Sequence, residues 1–264
     1  MSSKKASLPK TIFFSDELNE EFSTAQIEAI TIDENYKYGT NSFAFKFIRF
    51  FYYRIFALPV AYIYLKLHWG HRIIGRNKIK PFQKNSFFLF ANHTNSMADA
   101  LIPTFVSYPK HAFVIVHAAN VSIPGLGQST KYLGAIPLPG NIRATKNFLE
   151  TIKLRVQTKK SITIYPEAHI WPYYTKIRPF TDLSFRYPVQ YDKPVFSFTN
   201  TYQKRAWRKT PRIVTYIDGP FFADKTLSAK EQREDLRNKV YNAMCERSKN
   251  NNVEIIHYVK KENP

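Results

Sequence analysis

The chain has 264 residues, which suits one α/β domain with a small N-terminal appendage, and its 44% hydrophobic and 16% aromatic content supplies a sizeable core. A net charge of +19 and a pI near 9.8 fit a polyanionic partner, either nucleic acid or an anionic bilayer. The single cysteine, Cys245, excludes a disulfide framework, agrees with a reducing cytoplasm, and falls in a predicted helix as a packing residue.

In chain order, Met-Ser-Ser-Lys-Lys has no apolar run behind it and does not read as a signal peptide. Residues 1–40 are polar, with an acidic patch from Asp16 to Glu34, and are expected to form a loosely ordered arm. Residues 41–70 are expected to form basic, aromatic helices. Phe43, Phe47, Phe50 and Phe51 share one face at helical spacing, with Lys46 and Arg49 away from it. Ten cations and no acid fall between Glu34 and Asp99. This pattern predicts helices lying in a bilayer interface. The uncharged run from Ile55 to Leu65 contains Pro59 and is far shorter than the ~20 apolar residues that a spanning helix needs.

From about residue 83 strands and helices alternate. Strands are predicted over 86–91, 112–117, 134–138, 161–165, 194–199 and 211–217, and helices over 98–107, 142–157 and 227–248. Ser228 and Glu231 have the spacing of a capping box. The alternation predicts, over 71–264, an α/β domain with a mixed, largely parallel sheet flanked by helices. In such sheets active sites gather at the C-terminal ends of strands.

Two strands end on chemically useful residues. His93 follows the apolar run Ser86–Ala91, and Asp99 lies six residues on. Asp99 is the only acid between Glu34 and Glu150, in a stretch with fourteen Lys and Arg residues. A strand-end imidazole with a carboxylate at the next helix start is the equipment of a general base and its orienting partner. Glu167 ends the strand 161–165, with His169 beyond it. Arg143 and Lys146 share a helix face. With Arg178, they are candidate phosphate ligands. Gly125, Gly127 and Gly134 read as turn and close-packing glycines.

No Gly-x-Ser-x-Gly elbow is present, so an acceptor hydroxyl is a better nucleophile than the nearby Ser96. A metallohydrolase using His93, Asp99, Glu167 and His169 is a weaker reading, because no His-x-x-x-His or His-Glu spacing occurs, and no metal is expected. Basic and aromatic residues together also serve nucleic-acid binding, but no recognised binding motif occurs.

Taken in order, Asn92-His93, Asp99, Ile123-Pro-Gly-Leu-Gly127, Tyr132-Leu-Gly-Ala-Ile-Pro137, Tyr165-Pro-Glu167 and Lys193-Pro-Val195 resemble the motifs of the glycerolipid (lysophosphatidate or lysophospholipid) acyltransferases. The resemblance covers roughly residues 43–250. It implies that His93 is the base on an acceptor hydroxyl, that Asp99 orients it, and that Glu167 is part of the acceptor site. It implies acyl-CoA or acyl carrier protein as co-substrate, no further cofactor, and a lysolipid acceptor. It also implies action with anionic lipids on the cytoplasmic face of a membrane, as a peripheral or monotopic protein, with no nucleic acid as partner. Three positions depart from the family pattern. Five residues, not four, separate His93 from Asp99. Leu138-Pro-Gly-Asn141 stands where the family carries an Arg, so Arg143 is the nearest cation. Ala168 and His169 replace Gly-Thr after Pro-Glu. A non-catalytic, lipid-binding member of the fold and a nucleic-acid-binding protein are the alternatives.

Overall fold

The computed structural model describes residues 10–23 and 27–261. Its elements, in order, are β1 (Lys10–Phe14), α1 (Phe43–Arg49), α2 (Leu58–Leu67), β2 (Arg72–Ile74), β3 (Phe87–Ala91), α3 (Ser96–Ser107), β4 (Ala112–Val116), α4 (Thr130–Leu133), β5 (Ala135–Pro137), α5 (Ile142–Gln157), β6 (Ser161–Ile164), α6 (Arg186–Tyr191), β7 (Val195–Gln203), β8 (Arg212–Phe221), α7 (Ala229–Ser248) and β9 (Ile256–Lys260). Seven strands form one sheet in the order β2-β8-β7-β3-β6-β4-β5. Every pair is parallel except β7 with β8. The sheet is therefore mixed and largely parallel, as expected.

Strand β3 sets the layout. Its sequence, Phe-Phe-Leu-Phe-Ala, is buried at every position, as a parallel strand covered on both faces must be. Side chains alternate across the sheet. Phe88 and Phe90 join Phe113, Phe148, Ile162, Leu236 and Val240 on the side of α5 and α7. Phe87, Leu89 and Ala91 join Leu65, Ile102, Val106 and Phe198 on the side of α2 and α3. Pairing with β6 and β7 fixes the strand between two parallel neighbours. The helix α7 starts with the expected capping box between Ser228 and Glu231. Cys245 packs against the core beside it, as expected.

The expected loose arm is corrected where it is described. Strand β1 pairs in parallel with β9. Phe14 packs on Trp171 and Tyr174, and Ile32 and Tyr38 enter the main core. The Tyr38 hydroxyl donates to the Pro137 carbonyl at 2.9 Å. Two further bonds tie the segment to the loop after β6. Glu21 accepts from the Ile170 amide at 3.0 Å, and the Glu20 carbonyl accepts from the Trp171 indole at 2.7 Å. A few apolar anchors, each far apart in sequence, hold a segment whose average composition is polar.

Backbone is helical without a break from Phe43 to Leu67, with π-helical turns over Phe50–Ala57 between α1 and α2. The change of register falls just before Pro59, which has no N–H to give to a regular helix. Phe45, Tyr53, Ala61 and Leu65 face the domain and are buried, while Phe43, Phe47, Phe50 and Phe51 are exposed, as their spacing predicted. The Arg49 guanidinium lies 5.2 Å from the centre of the Phe113 ring. Arg54 bonds the Pro109 carbonyl, and Lys66 bonds the His71 carbonyl at 2.8 Å. Arg49, Arg54 and Lys66 fasten this stretch to the domain, while Lys46 is exposed. No helix among the described residues is long and apolar enough to cross a membrane.

Candidate active site

The site begins where β3 ends. Asn95 caps α3 by accepting from the Ala98 amide at 2.9 Å. This places Asp99 in the first turn, where the helix dipole favours a carboxylate. Asp99 is 1% exposed. Its Oδ2 accepts from His93 Nδ1 at 2.9 Å, the Thr94 amide at 2.8 Å and the Asn95 amide at 2.8 Å. Its Oδ1 accepts from Asn200 Nδ2 at 3.1 Å. The extra residue between His93 and Asp99 is taken up in this turn, and its two amides become carboxylate ligands. An ionised carboxylate accepts only, so Nδ1 carries the hydrogen and Nε2 is left with its lone pair. Among the described residues no group bonds Nε2. The His93 side chain keeps 18% of its surface.

The ring is fixed from two further directions. Tyr165 stacks on it, with centroids 4.5 Å apart and planes at 23°, and the Tyr165 hydroxyl donates to the Asp99 carbonyl at 2.5 Å. Burial, then the nearby Asp99 charge, pushes the Tyr165 phenol far up, so it stays a donor. The backbone amide of His93 donates to Glu167 Oε2 at 3.0 Å.

This last bond corrects the expected role of Glu167. Its Oε1 accepts from the Arg178 amide at 3.2 Å, and the residue is 3% exposed. Burial raises its pKa, against the lowering pull of the Arg178 guanidinium and the two amides. Both oxygens are committed to the protein backbone, so Glu167 positions His93 and does not read an acceptor. Arg178 is corrected in the same way. It is fully buried, and its guanidinium bonds the carbonyls of Glu167, His169 and Glu17. His169 turns to Glu21, Nδ1 to Oε2 at 3.4 Å. His93, Asp99, Glu167 and His169 thus do not converge as metal ligands. Ser96, the first residue of α3, is exposed and makes no bond to His93.

Arg143 and Lys146 are exposed on the first turns of α5, behind the N-cap Asn141. They lie past the C-terminal end of edge strand β5, at the same end of the sheet as His93. Three strand spacings, roughly 14 Å, separate β5 from β3. Gly127 and Gly134 are close-packing positions as expected. A Cβ would come within 2.2 Å of the Val121 carbonyl oxygen at Gly127 and within 2.3 Å of the Ala112 carbonyl oxygen at Gly134. Gly125 has a positive φ of 73° in its turn.

The residues that sequence reasoning missed lie on β7. Asn200 Nδ2 donates to Asp99, its amide donates to Asn92 Oδ1 at 2.8 Å, and its carbonyl accepts from Asn92 Nδ2 at 3.0 Å. Asn200 Oδ1 accepts from the Thr215 hydroxyl at 2.7 Å. Having given its hydrogen there, Thr215 accepts from His71 Nε2 at 2.9 Å. Burial, helped by Lys66, lowers the His71 pKa to about 4, so the ring is a neutral donor. A buried polar chain therefore runs from His71 through Thr215 and Asn200 to Asp99 and His93. Tyr202 closes the other side, bonding Thr94 through its hydroxyl at 3.0 Å. A buried run that turns polar at Ser197, Thr199 and Asn200 was the signal to follow.

Residues 72–199 match the family model described as Acyltransferase. No curated protein matches the chain. Among solved structures, the fold is similar to the crystal structure of the 1-acyl-sn-glycerophosphate (LPA) acyltransferase PlsC from Thermotoga maritima. That similarity has 18% identity and a TM-score of 0.54, over 76% of this chain and 83% of that one. The His93–Asp99 dyad lies inside the segment matched by the family model, which covers just under half of the chain, and the motifs quoted above stand in order around it.

Proposed function

We propose that this acyltransferase moves a fatty acyl group from an acyl thioester, acyl-CoA or acyl carrier protein, to a hydroxyl of a lysophospholipid or glycerol-phosphate-type acceptor. The reaction is of the 1-acylglycerol-3-phosphate acyltransferase type. The observation that carries this reading is the 2.9 Å bond from His93 Nδ1 to Asp99, which leaves Nε2 as a base at the exposed edge of the site. An acceptor alcohol has a pKa far above 7 and needs such a base at the moment of attack. Nε2 takes the hydroxyl proton as the oxygen bonds the thioester carbonyl carbon. The carbon–sulfur bond then breaks, and the leaving thiolate takes the proton back from Nε2. Asp99 fixes the tautomer and stabilises the imidazolium between these steps.

The acceptor's anionic head group is held from the α5 side, where Arg143 and Lys146 are exposed and the first turn holds no acid. An Arg–phosphate pair there would be bidentate and geometrically exacting. The protein works as a peripheral or monotopic protein on the cytoplasmic face of a membrane, with the apolar outer face of residues 43–67 against anionic lipid. The test is incubation of purified protein with a labelled acyl thioester and a panel of lysolipids, followed by mass. An acylated lysolipid that requires His93 supports the reading. Thioester consumption without acylated lipid, or no turnover on any acceptor, refutes it.

A further inference from the structure

The tip of the β7–β8 hairpin carries residues that the acyl-transfer site does not use. Residues 204–211 read Lys-Arg-Ala-Trp-Arg-Lys-Thr-Pro, four cations without an acid. Trp207 is 96% exposed, whereas the other two tryptophans, Trp69 and Trp171, are 3% and 0% exposed. An indole held almost wholly in water forfeits the burial that makes tryptophan useful, and its one apolar and one polar edge suit a water–lipid boundary.

The tip is fastened in place. Arg205 donates through Nη1 and Nη2 to the His68 carbonyl at 2.7 and 3.1 Å, and Arg208 donates to the Leu67 carbonyl at 3.3 Å. These carbonyls belong to the end of α2, where a helix lacks partners and its dipole favours cations. At the hairpin's base the Ile213 amide donates to the Trp69 carbonyl at 3.2 Å. The hairpin therefore continues the line of α2.

What it continues is an apolar row. Phe56, Val60, Ile63 and Leu67 are 64, 66, 55 and 64% exposed, at the spacing of one helix face. The row ends on Leu67, whose carbonyl holds Arg208. Within the helical run, Arg49, Arg54 and Lys66 are turned to the domain. Beyond the exposed Lys46, the basic partners that such a face would need at an anionic surface stand on the hairpin, where Lys204 and Lys209 are exposed.

We propose that hairpin 204–211 is a second membrane-contact element, with Trp207 in the headgroup–acyl boundary of an anionic bilayer and Lys204 and Lys209 at lipid phosphates. It rests on the membrane-docking part of the function proposed above. Single-stranded RNA would also meet cations and an aromatic, but Val60, Ile63 and Leu67, the part of the row that runs into the hairpin, are aliphatic and offer it neither stacking nor charge.

The test uses the full chain and its own tryptophan emission, which Trp207 dominates in any response because the other two indoles are buried. Phosphatidylglycerol-containing vesicles at low salt should shift the emission to the blue, and lipids brominated on the acyl chain should quench it. Trp207→Phe should abolish both signals while co-sedimentation persists. Lys204→Gln with Lys209→Gln should weaken vesicle binding by roughly 10–30-fold and flatten its salt dependence. Co-sedimentation with no emission change, and with affinity untouched by the double substitution, overturns the hairpin contact alone. No co-sedimentation at all overturns membrane docking and this proposal with it. An emission response to single-stranded RNA where vesicles give none makes the tip a nucleic-acid surface and also overturns it.

Discussion

The turn from His93 to Asp99 and the helical run from Phe43 to Leu67 use their side chains in opposite ways. Around Asp99 each polar group is spent inside the protein. The carboxylate has four donors, Glu167 holds the His93 amide, and Tyr165 both stacks and bonds. On the helical run Arg49, Arg54 and Lys66 are spent on the domain, and Phe43, Phe47, Phe50 and Phe51 are left outside. Apolar exposure on this scale is costly to a soluble surface and marks a contact face. One region is built to keep a single nitrogen in one geometry. The other, in the function proposed above, is covered by lipid. Changes in the first should alter turnover with little effect on lipid binding, and changes in the second should do the reverse.

The largest effect expected is at the base itself. His93→Ala should lower acyl transfer ~10²–10⁴-fold while leaving the melting transition and vesicle binding near wild type, because the ring is part-exposed. Asp99→Asn should cost less in rate, since the base survives. It should cost more in stability, because an amide nitrogen then meets either the turn amides or Asn200 Nδ2, donor against donor. Unchanged turnover in folded His93→Ala would end the mechanism.

Next comes the outer face. Phe47→Ser with Phe51→Ser removes two exposed, mutually packed rings whose centroids lie 4.9 Å apart. Each ring burying part of its surface in lipid contributes on the order of 1 kcal/mol or more, so vesicle affinity should fall ~30-fold or more. Turnover on an acceptor presented below its micelle concentration should hold. If turnover falls there as well, the two regions are coupled and the contrast drawn between them is false. High salt should release less of the wild-type protein than a basic helix would predict, because Arg49, Arg54 and Lys66 contact the domain and only Lys46 of the run's cations makes no such contact.

Asn200 tests how far the dyad's support extends. Asn200→Ala leaves Asp99 Oδ1 and the Thr215 hydroxyl without their Asn200 partner, at ~1–3 kcal/mol for each buried group, while Asn92 keeps its bonds to the backbone of residue 200. Roughly tenfold slower turnover should accompany the lost orientation. Asn200→Ala with wild-type turnover would show that the three donors on Oδ2 suffice.

Much of this was legible in the chain. The six predicted strands and three predicted helices all form, because each is a compact run with its own period or cap. His93 and Asp99 were legible because a strand end and a helix start place them together, and because Asp99 is alone among cations. Glu167 and Arg178 were found but misassigned. Sequence locates a charged residue at a strand end without telling whether its charge points to a ligand or to neighbouring amides. Asn200 was missed because the apolar run on β7 ends at Phe198, while pairing with β8 carries the strand to Gln203. The segment from Lys10 to Tyr38 was misread because Phe14, Ile32 and Tyr38 are too far apart in sequence to form a period. Their burial depends wholly on partners distant in the chain.

A smaller effect is expected at Arg143. Arg143→Ala should raise the apparent KM for a phosphorylated acceptor several-fold, the scale of one exposed charge-assisted pair, with the thioester KM little changed. Steady-state kinetics varying each substrate in turn decides it. A neutral acceptor used as well as an anionic one would remove the head-group role from α5.

The smallest effect belongs to His71, at the far end of the chain that reaches Asp99, and it is visible only through pH. Burial lowers its pKa to about 4 from an ordinary 6.5. At pH 7 it is mostly neutral in both folded and unfolded states, so it contributes no pH-linked term there. As pH falls from 6.5 towards 4 the unfolded chain takes up a proton at this position and the folded chain does not. The unfolded state then binds more protons, so stability must fall with falling pH across that window and level off below it. The loss is at most ~3 kcal/mol. Other groups titrate in the same range, so the informative quantity is a difference. His71→Gln cannot titrate, yet its amide can still donate to Thr215 from the position of Nε2. Urea unfolding of both proteins at pH 7, 6, 5 and 4 should show the wild type losing stability relative to His71→Gln between pH 6.5 and 4. A flat difference would mean that His71 is charged or solvated in the folded protein. A protonated ring would still donate to Thr215, but it would place a positive charge at the far end of the chain that holds Asp99.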